Sequence, residues 1–288
     1  MKLQQGHSTV HLLLALVVSG SAVLLAGCYN FVTIDVPGAS RTTALGINNA
    51  GDVVGSFDND TGTHGFVRNS SGEFTIIDIP GAASTEAHGI NDMKQIVGDY
   101  RDNKQVYGFV RDIRGKSAPI KFPGVSVGGS VFGINNSGEI VGEFSDAHGM
   151  HGFIRCSDGK FTIIDVHGSS TVAAVGLNNK RQATGYFGTG TEFQGFLRDP
   201  DGNLTMINVP GAVYTEPFGI NNSGEIVGLF IGPRFRSFHR DATGTFTMIE
   251  VPGASYTEAR GINDSGQIVG FFDDTTGTHG FIATPPAP

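Results

Sequence analysis

The chain has 288 residues, of which 39% are hydrophobic and only 16% charged. That is enough apolar material for one large β core or two ordinary ones, and it excludes a disordered chain. Forty-three glycines and the absence of tryptophan exclude a mainly helical protein and describe a turn-rich β protein. A formal net charge of −8 argues against a nucleic-acid partner.

The first residues differ in kind from the rest. Lys2 precedes an apolar run from Val10 to Ala26, and the run ends in Leu25-Ala26-Gly27-Cys28. This reads as a secretory signal over 1–27, outside the fold. It resembles the lipobox of bacterial lipoproteins, and the resemblance implies that Cys28 is lipidated and becomes the first residue of the mature chain. An uncleaved signal anchor or a plain secretory cut would also export the protein. Removing 1–27 takes away Lys2 and no acid, leaving 18 cations against 27 carboxylates. Cys156 is then the one remaining thiol, so no intramolecular disulfide is expected.

From Phe31 onward the sequence repeats. "GINNSGEIVG" occurs identically at 133–142 and 219–228, and six copies of this stretch begin at Gly46, Gly89, Gly133, Gly176, Gly219 and Gly261. Each is preceded by a strand of the type "FTIIDIPGA" and followed by a Gly-Phe strand of the type "HGFVR". A period near 43 residues with alternating rather than helical patterning predicts four short strands per unit, as in a β-propeller blade. Within one unit the expected strands are A ("TEAHGI"), B ("QIVGDY"), C ("YGFVRD") and D ("FTIIDIP"), with Asn-Asn-Ser-Gly as the A–B turn. In that turn Asn would tolerate a left-handed backbone and Gly supply positive φ. The mature chain begins on a D-type strand at Phe31 and ends near Ala283 on a C-type strand. The prediction is therefore an all-β, six-bladed β-propeller of four-stranded blades over 28–283, closed by pairing the N-terminal strand with the last blade. Residues 284–288 form a Pro-rich tail.

The pattern "HGF…G.FT.IDVPGA…GIN..G.IVG" resembles the extracellular HAF repeats, named for a His-Ala-Phe tripeptide that stands here as His-Gly-Phe. The resemblance spans 31–283 and implies an exported bacterial repeat protein. It brings no established activity, cofactor or catalytic residue. Copy four departs from it with "NNKRQATG" and His167, and copy three with Lys121 in place of the strand-D acid.

No residue set reads as catalytic and no cofactor is expected. His64, His151 and His279 lie on strand C, too far out for histidines of different blades to share a metal. A structural role, hydrogen-bonding the neighbouring loop, is expected of them. The strand-D acids Asp35, Asp78, Asp165 and Glu250 are expected to face solvent or cap turns. "DNDTGTHG" and "DDTTGTHG" offer Asp58, Asp60, Asp273 and Asp274 as weak calcium candidates, although the same residues suit ordinary turns. Neither GxSxG nor HExxH occurs.

The D–A and B–C loops define a variable face, where Glu86, His88, Tyr214, Glu216, Tyr256, Glu258 and Arg260 are the ligand-binding candidates. Arg41, Phe132, Phe218 and the loop 231–237 belong to the same set. The expected function is a non-enzymatic binding or scaffold module. It would be monomeric and exported, held in the bacterial cell envelope at the outer membrane or cell surface by a lipid on Cys28, with a glycan or protein ligand at the variable face. The alternative is a polysaccharide hydrolase or lyase at the same face, with Glu86, Glu216, Glu258 and His88 as the available acids and base.

Overall fold

A computed structural model describes residues 29–102, 105–122, 128–188 and 192–286. The expected signal segment, Cys28 and the end of the tail lie outside them. Twenty-four strands and no helix are found among the described residues. The first, β1 (Asn30–Ile34), stands alone in the chain. Runs of antiparallel neighbours follow. They are β2 (Arg41–Ile47), β3 (Val53–Asn59), β4 (Gly62–Arg68) and β5 (Phe74–Ile77), then β6 (Ser84–Ile90), β7 (Ile96–Arg101), β8 (Val106–Arg111) and β9 (Ser117–Pro119). Next come β10 (Gly129–Ile134), β11 (Ile140–Asp146), β12 (Gly149–Arg155) and β13 (Phe161–Ile164), and β14 (Thr171–Leu177), β15 (Ala183–Gly188), β16 (Phe193–Arg198) and β17 (Leu204–Ile207). Then follow β18 (Tyr214–Ile220), β19 (Ile226–Ile231), β20 (Phe235–Arg240) and β21 (Phe246–Ile249), and finally β22 (Tyr256–Ile262), β23 (Ile268–Asp273) and β24 (Thr278–Thr284). The last run gains its fourth strand from β1, which pairs with β24 from Asn30↔Thr284 to Ile34↔Gly280.

The D-type strands are shorter than the sequence pattern suggests. β5 ends at Ile77, because Asp78 leaves the ladder and Ile79 to Ala82 form a hydrogen-bonded turn with Gly81 at φ 82°. Between successive runs the core is built from two repeated side chains. The Gly-Phe phenylalanines Phe66, Phe109, Phe153, Phe196, Phe238 and Phe281 are fully buried, and so are the strand-D isoleucines Ile34, Ile77, Ile207 and Ile249. Each apolar cluster joins two neighbouring runs, as where Phe66 and Ile34 meet Val269. A run cannot bury its face alone, so the repeats stabilise one another.

The repeated Asn-Asn stretch serves this assembly through its side chains. The first Asn does not take a left-handed backbone. Its Oδ1 accepts from two backbone amides of its own turn, as Asn135 does from Ser137 and Glu139 at 3.0 Å each. Its Nδ2 donates to the same Asn carbonyl of the next run. Asn48, Asn91, Asn135, Asn178, Asn221 and Asn263 thus form a ring in which Asn263 returns to Asn48, at 2.9 to 3.3 Å. The second residue makes another ring through backbone amides, Asn49, Asp92, Asn136, Asn179, Asn222 and Asp264 in turn. Positive φ falls two residues further on, at Gly51, Gly138, Gly224 and Gly266. Where copies two and four lack that glycine, Lys94 and Arg181 adopt φ 58° and 59°.

Candidate functional site

A β-bulge in each A strand builds the site. The register jumps from Ala44↔Gly55 to Gly46↔Val54, which leaves Leu45 out of the ladder. His88, Phe132, Val175 and Arg260 are left out in the same way, as are Phe218 and Gly219 together. A bulge re-aims its extra residue, and here the bulged residues line a central cavity of about 310 Å³. The following glycines, Gly46 to Gly261, also line it and touch one another around the ring. A Cβ on Gly89 would lie 2.7 Å from the Phe132 carbonyl oxygen, and one on Gly219 would lie 3.0 Å from Gly261 Cα. The six aliphatic residues Ile47, Ile90, Ile134, Leu177, Ile220 and Ile262 form the inner wall. They also border a second space of about 70 Å³, bounded by the asparagine rings. This collar constricts the axis, so the cavity opens toward the B–C and D–A loops.

Polar groups are concentrated on one side. His88 is partly buried and stacks on Phe132 with ring centroids 5.6 Å apart. Its Nδ1 lies 2.9 Å from the Val131 carbonyl, which only accepts, so Nδ1 carries hydrogen and Nε2 is the titrating nitrogen. Nε2 faces Glu86 Oε2 at 3.7 Å, and Asp99 Oδ2 lies 3.8 Å from Nδ1. Burial opposes the charging of His88, but Asp99 and then Glu86 outweigh it and raise its pKa. The His88 contact holds Glu86 below the usual carboxylate range, whereas burial raises Asp99. On the other flank of the first run Arg260 lies over the Phe218 ring at 4.2 Å and pairs with Glu258, which also accepts from the Tyr256 hydroxyl. Arg41 lines the rim and reaches Asp58 at 3.6 Å.

Of the residues singled out from sequence, Glu86, His88 and Arg260 reach the cavity wall, together with Arg41, Phe132 and Phe218. Tyr214, Glu216, Tyr256 and Glu258 are not among the lining residues. Tyr256 and Glu258 support Arg260 from behind, and Tyr214 packs on Phe193 at 5.6 Å. Glu216 is also set back, with burial raising its pKa against the pull of Arg260. Sequence reasoning missed Leu45, Val175 and Phe271 in the wall. It also missed the B-strand acids Asp99 and Glu143. Glu143 is pushed up to about 7 by burial and by the nearby Asp99, and its Oε2 has no hydrogen-bond partner among the described residues. The available signal was the residue before each repeated glycine, which reads Leu, His, Phe, Val, Phe and Arg while the glycine itself stays constant.

Three of the calcium candidates make hydrogen bonds within their own loops. Asp58 and Asp273 accept from Thr63 and Thr278 at 2.7 Å, and Asp274 accepts from the amide and hydroxyl of Thr276, while Asp60 is exposed. No cluster of three His, Cys, Asp or Glu side chains able to hold a metal is present among the described residues. The strand-C histidines pair with the strand-D acids rather than acting separately. His64 meets Asp78 at 2.8 Å, His151 meets Asp165 at 2.7 Å and His279 meets Asp35 at 2.9 Å.

No family model matches the chain, and no curated protein matches it in sequence. Solved structures do share its fold. TolB from Acinetobacter baumannii superposes with a TM-score of 0.60 at 11% identity, covering 86% of this chain and 65% of that one. A gluconolactonase from Xanthomonas campestris gives 0.56 at 14%, covering 90% of each chain. A catalytically inactive virginiamycin B lyase from Staphylococcus aureus, solved with quinupristin, gives 0.55 at 12%, covering 88% and 99%. The chain is therefore an all-β protein of the β-propeller kind.

Proposed function

We propose that the chain is a six-bladed propeller of four-stranded blades, exported and held in the cell envelope by a lipid on Cys28. Its function is non-enzymatic binding of a small glycan unit in the central cavity. One observation carries this reading: six bulged strands aim non-equivalent side chains at one space that is otherwise walled by glycine and isoleucine. Phe132 and Phe218 offer ring faces for a sugar, while Arg41, Glu86, His88 and Arg260 offer directional hydrogen bonds. Apolar walls with a few convergent polar groups are the usual make-up of small-ligand sites.

A second reading is favoured by the His88 cluster. Histidine between two carboxylates can exchange a proton with a bound substrate through Nε2, which is what a lyase or hydrolase acting on polysaccharide requires. Enzymes are also found among the proteins sharing the fold. A glycan panel offered to the purified protein, read for thermal shift and for released product together, separates the two. Binding without product, weakened by Arg260→Ala, supports the binding module. Product formation abolished by His88→Gln or Glu86→Gln establishes the enzyme in its place.

A further inference from the structure

The face bearing the A–B and C–D turns differs from the opposite one in charge. The turns and adjoining strand ends carry eleven cations and eleven carboxylates. The rest of the described chain, the B–C and D–A loops with their strands and the cavity wall, carries six cations against sixteen carboxylates, so the protein's net negative charge lies away from the turn face. The turn face is itself uneven. Its basic sector spans the second, third and fourth runs, with Arg114, Lys116 and Lys180 in the turns beside Lys94, Lys160 and Arg181, which pair with Asp52, Asp158 and Glu139 at 3.0 to 3.1 Å. In the second run, two adjacent turns also hold out large apolar side chains, Met93 at 61% exposure and Ile113 at 70%. Apolar tips flanked by cations at 113–116 suit the boundary between acyl chains and headgroups.

The N-terminus reaches the same face at another point of the rim. β1 starts at its turn end, where the Tyr29 hydroxyl lies 3.3 Å from His239 Nδ1 and its ring packs near Phe31. Cys28 is the next residue. The two places lie on different parts of the ring, since β1 belongs with β24, and β24 and the second run are separated by the whole first run. A lipid at one point of the rim would let the disc tilt. A second contact across the ring would hold it flat.

We propose that the turn face docks on an anionic phospholipid bilayer, with Ile113 and Met93 entering the interface and Arg114, Lys116 and Lys180 meeting the headgroups. The acidic, cavity-bearing face then points away from the membrane. Like charges would repel that face from an anionic surface, so the orientation follows from both sides of the disc. The inference rests on the lipid anchor of the proposed function, and the test separates the two.

The absence of tryptophan makes the protein its own blank. Ile113→Trp, Met93→Trp and, on the opposite face, Phe235→Trp are expressed in full length, purified from membranes and placed in vesicles containing anionic lipid with brominated acyl chains. Quenching of Trp at 113 and 93 at least threefold stronger than at 235 is expected, and it should fall when Arg114→Glu and Lys116→Glu are added. Equal quenching at all three sites in membrane-bound protein overturns the docking while leaving the anchor in place. Wild-type protein that stays in the aqueous fraction, as the Cys28→Ser variant should, overturns the anchor and the docking together.

Discussion

His279 on the last strand and Asp35, which follows the first, are 244 residues apart in sequence, yet their side chains meet at 2.9 Å. The same pair of positions recurs inside other runs as His64–Asp78 and His151–Asp165, and as Arg236–Glu250 at 3.4 Å. The contact that joins C to D within a run therefore also joins the two ends of the chain. Deleting 30–34 should expose the edge of β24 and uncover Phe281, which packs edge-on against Phe31 at 5.7 Å. The expected outcome is a melting point at least 10 °C lower and aggregation in light scattering. Asp35→Ala, at a partly exposed pair, should cost no more than about 1 kcal/mol.

The asparagine rings predict a graded response. Asn135→Ala removes two acceptor bonds and two donor bonds from a buried turn and opens the ring toward Asn178, so a loss of about 2 to 4 kcal/mol is expected in urea unfolding. Asn136→Ala removes the two exposed side-chain bonds to Asp92 and should cost about 1 kcal/mol. Equal costs at the two positions would show that the inner ring is not the stronger fastening.

Much of this architecture was legible in the sequence, because the repeat length, the alternation in "FTIID" and the first and last strand types are properties of single segments. The partnership of His279 with Asp35 was not, since the two residues stand 244 positions apart and each alone suits an ordinary polar surface site. Yet the exceptions change together: Arg236 stands with Glu250, and Gln194 with Asn208. The cavity wall was half visible. His88 and Arg260 drew notice as unusual residues, whereas Leu45 and Val175 looked like ordinary strand residues. What sets all four on the wall is a register shift between two strands, and no single segment displays it. Turn chemistry alone assigns Asn48 and its equivalents no more than tolerance of a turn backbone. A side chain bridging to the next run depends on a neighbour about 43 residues away, and the turn sequence does not show it.

The glycines of the inner ring should differ in what they tolerate. A Cβ at Gly176 would overlap the Phe218 carbonyl oxygen and the Thr184 hydroxyl, and both are held by the hydrogen bond between them at 2.7 Å. At Gly261 the nearest obstacles are Val269 Cγ2 at 3.0 Å and the Leu45 carbonyl at 3.2 Å. Gly176→Ala should therefore lose about 3 kcal/mol or fail to fold, and Gly261→Ala should lose about 1 kcal/mol. Thermal melts of the two variants side by side check this order.

Glu143 gives the fold a pH dependence. Its folded pKa of about 7 stands above the ordinary 4.5, so the folded protein holds an extra proton between those values. The group costs nothing below about pH 4.5, its penalty grows as pH rises toward 7, and it is fully present above that. Glu143→Gln removes the charge. It should therefore stabilise the protein at pH 8 by at most about 3 kcal/mol and leave it little changed at pH 4.5. Denaturant melts of both proteins at the two pH values test the sign, and a variant less stable than wild type at pH 8 would contradict it.

The central claim is that a small glycan enters the cavity formed by the bulged strands. Phe132→Trp places the protein's one tryptophan on that wall, beside His88. Titrating this variant with the best ligand from the panel should give a saturable fluorescence change at one equivalent, weakened at least tenfold by adding Arg260→Ala, with the ligand recovered intact. A change that persists unaltered in the Arg260→Ala background, or a ligand recovered as cleaved product, would contradict the account.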